Sequence, residues 1–465
     1  MSGLGVLLSA AVVTAGVASP APTPGPGAVH RAGPAGSVLI VEEDRSVPIV
    51  HVVVASRSGS ASDPRHREGL TNLAAEWARH GAGSRSRAQL DEALDALGAT
   101  LEVRTEPDST RFEGEVLARN LDAYLSLVAD VLIRPAFTPA EFTKTREEVL
   151  GQIDEQRNED RMLCARFFMR NLFGDHPYGH PPDGIKPALE AATASEAAAH
   201  FHHHFVGHNL IFAFSGDVQA DGLSAALAKA MRGLSDAPAP PVNPLETRAP
   251  VSLSGWRIQL VDKPDRQQSQ LMFGHPALRA TDPDFVPLSV GLAAFGGRAM
   301  SSTLMDEVRR KRGLAYGAYL QLEERRATGG AVGWVFSGTD KTVAMMKLVL
   351  KLYVSFMEKG LDAQQVSFFQ RFLAGSHAAE LDAPDHRLAA RVTNEITGLP
   401  PDFLETFAAR VAATTPEQVN AAIKRHVRAR DLAITMVATA ATMKKLLIDA
   451  KVQESAIDVV PYDSY

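Results

Sequence analysis

Two glutamates and a histidine have the residue types, and part of the spacing, of a metal site. Glu76 and His80 lie four positions apart in a run that predicts a helix over residues 69–81, so both side chains share one helix face. Together with Glu148 they could present one imidazole and two carboxylates to a cation. Because a metal site needs ligand number and geometry together, we favour the alternative that His80 only ends the helix beside Gly81, where the helix dipole favours it.

A run of histidines is the second candidate for metal chemistry: His200, His202, His203, His204 and His208. They occupy the end of a predicted helix that precedes the strand-like sequence NLIFAF. Neighbouring residues of a helix point in different directions, so few of these rings can converge on one ion. We therefore expect histidines on a helix surface and no metal site.

The composition is that of a folded protein with more than one core. The chain has 465 residues, of which 45% are hydrophobic and 22% are charged, and its formal net charge is -6. This length exceeds one ordinary domain, and the sequence lacks the dense basic stripe of a nucleic-acid or membrane-surface protein. Cys164 is the only cysteine, which excludes an intrachain disulfide and cysteine-based metal sites and predicts a small buried side chain.

The first 36 residues predict a secretory signal followed by a tether. An apolar run from Leu4 to Ala18 is followed by Ser19-Pro20-Ala21 and a stretch rich in Pro, Gly and Ala. No lysine or arginine precedes the apolar run, although such signals usually begin with one. We expect an exported protein of the periplasm or cell envelope, and no later stretch is apolar enough to span a membrane.

A Pro-rich segment at residues 235–255 divides the rest of the chain into two parts of similar length, 37–234 and 256–465. Both parts have the same order of patterns: a strand, a helix, two strand-like patches, a long amphipathic helix, a polar-faced helix, and a final helix and strand. This similarity indicates an internal duplication. Each unit is predicted to be an α+β sandwich, with helices packed on a mixed or antiparallel sheet.

The duplicated unit resembles the insulinase/pitrilysin family of zinc peptidases, in particular its mitochondrial processing peptidase-like branch. The phrases that carry the resemblance are GLTNLAAEW, TREEVLGQIDEQ, HPYGHPPDG and FGGRAMSSTLMDEVRRKRGLAYGAY, in this order. They cover nearly everything after about residue 37. The resemblance implies two tandem homologous domains in a clam-shaped chain.

The zinc motif of that family is altered in this sequence. In active relatives the helix that corresponds to GLTNLAAEW carries HxxEH, whose histidines hold zinc and whose glutamate activates the bound water. The corresponding residues here are Asn72, Ala75 and Glu76, and only Glu148 matches the third ligand. Alanine cannot take a proton, and an amide is a weak zinc ligand compared with imidazole. The resemblance therefore implies that this chain has no metal or other cofactor of its own.

The second half keeps the Arg/Tyr pair that the family's C-terminal domain contributes to the cleft. Arg309 and Tyr316 fall on these positions, and with Gly313 between them they can sit on an adjoining helix and strand and face one space. Arginine can bind a substrate carbonyl, and the tyrosine hydroxyl can donate to the oxyanion of the tetrahedral intermediate. The alternative is that Arg309 belongs to a solvated cluster with the three basic residues that follow it, while Tyr316 is a core residue.

Phe295, Gly296 and Gly297 lie where the non-zinc subunit of mitochondrial processing peptidase has a glycine-rich loop that handles substrate. The resemblance implies a substrate-binding role for them, although the loop here is shorter. Two consecutive glycines permit close backbone approach, but they are equally typical of a turn that ends a helix. Both interpretations stay open.

A lost zinc motif beside an intact Arg/Tyr pair is the pattern of two-subunit bacterial relatives. The resemblance implies one subunit of a heteromeric metallopeptidase, in which a homologous partner holds the zinc and this chain supplies Arg309 and Tyr316. Extended peptides would bind as an added strand on a sheet edge. The alternative is a non-catalytic scaffold or a peptide-binding pseudopeptidase.

Overall fold

The computed structural model describes residues 27–243 and 252–464, so the predicted signal segment and part of the predicted linker lie outside the described residues. Folded structure begins at Val29, where the strand Val29–Ala32 pairs antiparallel with the strand Val38–Glu43. The prediction that a tether extends to residue 36 is therefore wrong at its end. Backbone hydrogen bonds to the next strand hold these residues in a sheet.

The first half of the chain alternates strands with helices. Its strands are β1 (Val29–Ala32), β2 (Val38–Glu43), β3 (Ile49–Ser56), β4 (Gly81–Ala82), β5 (Arg85–Ser86), β6 (Glu102–Thr105), β7 (Thr110–Leu117) and β8 (Leu210–Gly216). Its helices are α1 (Leu70–Arg79), α2 (Arg87–Leu97), α3 (Leu121–Ile133), α4 (Pro139–Gln156), α5 (Asp160–Phe173), α6 (Lys186–Ala191), α7 (Ala194–His204) and α8 (Ala220–Ala230).

The second half follows a similar order. Its strands are β9 (Trp256–Asp262), β10 (Gln268–Pro276), β11 (Ala318–Leu322), β12 (Gly330–Gly338), β13 (Leu432–Ala438) and β14 (Ile457–Pro461). Its helices are α9 (Phe285–Gly296), α10 (Thr339–Lys359), α11 (Ala363–Glu380), α12 (Pro384–Thr397), α13 (Phe403–Ala413), α14 (Pro416–His426) and α15 (Ala440–Asp449).

The two main sheets have the same topology, which confirms the predicted duplication. The first has the strand order β6-β7-β3-β8-β2-β1 and the second β11-β12-β10-β13-β9-β14. In both, the hairpin-like pairs are antiparallel, whereas β2 runs parallel to β8 and β9 runs parallel to β13. Only the outermost strand differs, because β1 precedes its sheet and β14 follows it. The fold is two tandem α/β-sandwich domains.

Equivalent helices begin with the same capping motif. Thr193 caps α7 and Thr415 caps α14, and in each case the third helical residue, Glu196 or Gln418, returns a hydrogen bond to the cap. Such a capping box satisfies backbone donors that lack partners at a helix start and is worth about 1 kcal/mol. The same local signal therefore starts the same helix in both halves.

One helix from each half packs on the sheet of the other half, an arrangement hereafter called the exchange of α5 and α12. Helix α12 packs Leu388, Val392 and Ile396 on the outer face of the first sheet. Helix α5 packs its apolar side chains, among them the fully buried Cys164, on the outer face of the second sheet. Both faces of each sheet are thus covered, which explains why β8 and β13 are buried along their whole length. Of the described helices, none is long and apolar enough to cross a membrane.

Candidate functional site

Helix α1 carries the three residues at the positions of the zinc motif. Asn72 and Ala75 are buried, with exposed fractions of 8% and 0%, and Glu76 is partly buried. The Ala75 methyl group belongs to the hydrophobic core of the first domain. A methyl group has no lone pair with which to accept a proton from water, so position 75 serves packing in this chain.

Glu148 on α4 is bound by an arginine that sequence analysis missed. Arg87 Nη1 donates to both carboxylate oxygens of Glu148, each at 2.9 Å. Arg87 is the first residue of α2, and Ser86 before it fixes the start of this helix through a capping box with Gln89. The residue that matches the third zinc ligand is thus engaged by a cation of the protein itself.

A polar recess of about 310 Å³, hereafter the α1 recess, is lined by Glu76, His80, Arg87 and Glu102, among others. Burial raises the pKa of Glu76 to about 7, although the charges of Arg79 and Arg87 oppose this shift. Burial also lowers the pKa of His80 to about 4, so its imidazole is neutral at pH 7. His80 Nδ1 lies 2.6 Å from the hydroxyl oxygen of Thr145, which therefore orients the ring.

The α1 recess does not fit a metal ion. In the described ranges 27–243 and 252–464, one set of three or more His, Cys, Asp or Glu side chains has ligand atoms within 4.8 Å of one another: Asp282, Asp284 and His426. That set lies in the second half, and Asp284 is already paired with Arg425 and with His426. Glu76, His80 and Glu148 do not converge, and neither this trio nor the altered zinc motif forms a zinc site.

The histidine run is not all on the surface, and for two members the surface prediction is wrong. His204 is buried and its Nδ1 lies 2.8 Å from the Ser58 hydroxyl, while His200 Nε2 lies 2.8 Å from the Thr71 hydroxyl. Burial lowers the pKa of His200 to about 4 and that of His204 to about 3. Both rings are neutral at pH 7 and take part in packing: His200 contacts α1 through Thr71, and His204 contacts Ser58, which follows β3.

Arg309 and Tyr316 lie in contact in the second half. The Arg309 guanidinium carbon is 4.2 Å from the centre of the Tyr316 ring, a cation–π geometry. Arg309 lies one residue before the end of a π-helical segment (Met305–Arg310), and Tyr316 lies just before β11 and not on a strand. With 71% of its surface exposed, Tyr316 is no core residue. The pair therefore presents a cation and a phenol together to solvent.

Arg309 also differs from the basic residues that follow it. Arg310, Lys311 and Arg312 are each paired with Asp306 or Glu307 on the same turn. Arg309 has no carboxylate within 4.0 Å among the described residues, and its other contact is 3.8 Å from Nη1 to the Met300 sulfur. Its guanidinium is therefore free of the local charge pairing.

The Phe295-Gly296-Gly297 segment lies at the end of a buried helix, and its predicted substrate-binding role stays a prediction. Phe295 is 0% exposed. The centre of its ring lies 4.8 Å from that of the Tyr353 ring and 5.0 Å from that of the Phe356 ring. A side chain at Gly296 would come within 2.6 Å of the Leu320 backbone nitrogen. The helix-ending interpretation accounts for Gly296, because a larger residue would clash with β11, and for Phe295, because its ring fills space in the hydrophobic core.

Comparisons with protein families agree with this two-domain architecture. Residues 38–182 match the family described as Insulinase (Peptidase family M16), and residues 191–371 match the family described as Peptidase M16 inactive domain. The Non-peptidase homolog YmxG of Helicobacter pylori is 23% identical over 403 residues, which are 86% of this chain and 91% of that protein. An uncharacterized zinc protease of Mycobacterium tuberculosis is 26% identical over 352 residues, or 75% of this chain and 78% of that protein.

Solved structures show the same fold. A peptidase M16 inactive domain from Pseudomonas fluorescens superposes with a TM-score of 0.80 at 23% identity, covering 88% of this chain and 98% of that chain. A protease from Helicobacter pylori gives a TM-score of 0.79 at 15% identity, with coverage of 89% and 100%. The names of the non-peptidase homologue and the inactive domain support a non-catalytic M16-like protein without a catalytic zinc.

Proposed function

The chain belongs to the insulinase family, the M16 peptidases, and from this premise we propose that it is the non-zinc subunit of a heteromeric metallopeptidase. A homologous partner subunit would hold the zinc, and this chain would supply Arg309 and Tyr316 to the shared cleft. The observation that carries the proposal is the exposed Arg309–Tyr316 pair, which is free of carboxylates while every neighbouring base is paired.

The chemistry of the pair suits peptide hydrolysis. A guanidinium can donate two hydrogen bonds to a peptide carbonyl and so hold the backbone of an extended substrate. A phenol hydroxyl can donate to the oxyanion that forms when a peptide carbonyl is attacked. Stacking of Arg309 on Tyr316 restricts both side chains before substrate binds, which lowers the entropic cost of ordering them.

The first domain would then contribute structure and not catalysis. Ala75 is packed in the core, and both oxygens of the Glu148 carboxylate accept hydrogen bonds from Arg87. Peptides would bind as an added strand on a sheet edge, where main-chain hydrogen bonds give affinity with little sequence selectivity. We further propose that the chain works outside the cytoplasm, in line with the apolar Leu4–Ala18 segment.

The test is reconstitution with a zinc-bearing M16 chain from the same genome, one that has an intact HxxEH motif. We expect neither chain alone to cleave an unfolded fluorogenic peptide and the mixture to cleave it. Tyr316→Phe in this chain should lower turnover about 10²–10³-fold, as loss of one oxyanion donor does. Size-exclusion chromatography should show unchanged complex formation. Tyr319→Phe, a nearby tyrosine that stacks on Trp334, is the matched control and should keep full activity.

A second candidate function, a scaffold or peptide-binding pseudopeptidase, is favoured by the name of the non-peptidase homologue. It predicts that Tyr316→Phe and Arg309→Ala both leave the activity of the mixture at the wild-type level. Export is checked separately, by fractionating cells that express the full chain and locating it by immunoblot. A chain found only in the cytoplasm would contradict the proposed location.

A further inference from the structure

The α1 recess contains a fixed positive charge that belongs to the protein. Arg87 extends from the first turn of α2 to Glu148 on α4, and its side chain also borders Glu76 and His80. The ion pair is partly buried, because the Arg87 side chain is 29% exposed and that of Glu148 is 36% exposed. The charge of one guanidinium thus acts on Glu148 of α4, on Glu76 of α1 and on His80, which directly follows α1.

The chain is built to hold Arg87 in this place. The short hairpin of β4 and β5 returns the backbone directly after α1, with Gly81 opposite Ser86, and Gly81 and Gly83 adopt positive φ angles in it. Ser86 then caps α2, so that Arg87 begins the helix at a fixed point. The position of Arg87 relative to α1 therefore follows from a tight turn and does not depend on a long loop.

The other arginine of the recess has different partners. Arg79 Nη2 lies 2.8 Å from Asp91, and Arg79 Nε donates to the Leu101 carbonyl at 2.7 Å. Arg87 is consequently the cation that pairs with Glu148. Its charge also reaches the rest of the recess, because it adds to burial in lowering the pKa of His80.

We propose that Arg87 is a built-in cation that takes the electrostatic place of a metal ion in the α1 recess and excludes divalent cations from it. Glu148 does not line the recess itself, but a divalent ion bound to Glu76 and His80 would need its carboxylate as a third ligand, and this carboxylate already accepts two hydrogen bonds from Arg87 Nη1. Such an ion would also lie beside the positive charge of a guanidinium, which repels a cation. Glu76, His80 and Glu148 do not converge while Arg87 holds the Glu148 carboxylate. Removal of Arg87 should free that carboxylate to turn towards Glu76 and His80, and two carboxylates and one imidazole are ligands that suit zinc.

The experiment measures zinc binding to the purified chain alone and needs neither a partner nor a peptide. Isothermal titration with Zn²⁺ is carried out on the wild type, on Arg87→Ala and on Arg87→Ala combined with Glu148→Gln. Arg85→Ala is the matched control, because Arg85 lies two residues away and pairs with Asp130, outside the recess. Thermal unfolding with and without Zn²⁺ gives a second readout that also shows whether each variant is folded.

We expect Arg87→Ala to gain one zinc site, at least about tenfold tighter than any in the wild type, since the repulsion of a neighbouring guanidinium is relieved. Zinc should raise the melting temperature of this variant, and Glu148→Gln should abolish both effects. Arg85→Ala should behave like the wild type. The proposal is overturned if folded Arg87→Ala binds zinc no better than the wild type, or if Glu148→Gln leaves the gained site intact.

Discussion

Glu42 on β2 accepts hydrogen bonds from Arg391 Nε at 2.9 Å and from Arg387 Nε at 2.7 Å, although these arginines lie on α12 in the other half of the chain. Glu42 is 0% exposed, and the arginines are 4% and 7% exposed. The exchange of α12 between halves thus places a carboxylate and two guanidinium groups in one buried contact. Arg387 also binds Asp44, and Arg391 binds Glu405, which spreads the charge over both halves.

Glu42→Ala should therefore destabilise the protein strongly. The substitution leaves two buried guanidinium groups without their shared partner, and breaking a buried ion pair in this way costs roughly 3–5 kcal/mol. Urea unfolding followed by circular dichroism measures the change in the free energy of unfolding. Glu92→Ala, an exposed glutamate on α2, is the control and should change it by less than about 0.5 kcal/mol. Equal effects of the two substitutions would contradict the assigned role of Glu42.

Glu76 should make stability fall as the pH rises. Burial raises its pKa to about 7 in the folded chain from 4.5, so between these values the folded state holds a proton that the unfolded state has lost. The favourable contribution is complete below pH 4.5 and is lost as the pH rises through about 7. Glu76→Gln removes this dependence and should become more stable relative to the wild type by roughly 1–3 kcal/mol across this range.

The measurement for Glu76 is the unfolding free energy of both proteins at pH 5, 6, 7 and 8. Glu147→Gln, on the exposed face of α4, is the matched control and should show no such trend. A constant difference between Glu76→Gln and the wild type at all pH values would show that Glu76 has an ordinary pKa in the folded chain.

Most of the fold could be predicted from the sequence, because the patterns that define it are local. The helix predicted over residues 69–81 is α1, and the strand-like LAITMVA is β13. The exchange of α5 and α12 could not be predicted, since a helical pattern does not say which sheet the helix covers. The Arg87–Glu148 contact was missed for the same reason, because the two residues are 61 positions apart in the sequence and only the packing of their helices brings them together.

Restoring ligands alone should not restore a zinc site. Asn72→His and Glu76→His supply the two imidazoles, but Arg87 remains paired with the Glu148 carboxylate. The guanidinium would also repel the zinc ion, since two like unit charges 4 Å apart repel by about 4 kcal/mol near a protein surface. We expect the double variant to bind zinc at least about 100-fold more weakly than the same variant with Arg87→Ala. Calorimetry of both proteins decides this, and equal zinc affinities would show that Arg87 moves aside at no cost.

Phe295 should matter for stability and not for peptide binding. Its ring is fully buried against Tyr353 and Phe356, so Phe295→Ala leaves a cavity that costs roughly 3–5 kcal/mol. Phe368→Ala, at a ring that is 43% exposed, should cost much less. Urea unfolding compares the two variants. A Phe295→Ala protein with wild-type stability and weakened peptide binding would favour the substrate-loop interpretation instead.

Arg309 should contribute to substrate binding in the reconstituted peptidase, with little effect on folding. Its guanidinium contacts Tyr316 and Met300 at the surface, so Arg309→Ala should change the free energy of unfolding by less than about 1 kcal/mol. Loss of a charged hydrogen-bond donor to the peptide backbone should raise KM about tenfold or more, since such bonds are worth about 1.5–3 kcal/mol.

Arg309→Lys keeps the charge but loses the planar, two-pronged donor, so its KM should lie between those of the wild type and of Arg309→Ala. Arg310→Ala, whose guanidinium is paired with Asp306, is the control and should keep the wild-type KM. Steady-state kinetics of the four mixtures measure these values, and an unchanged KM for Arg309→Ala would remove Arg309 from the substrate contact.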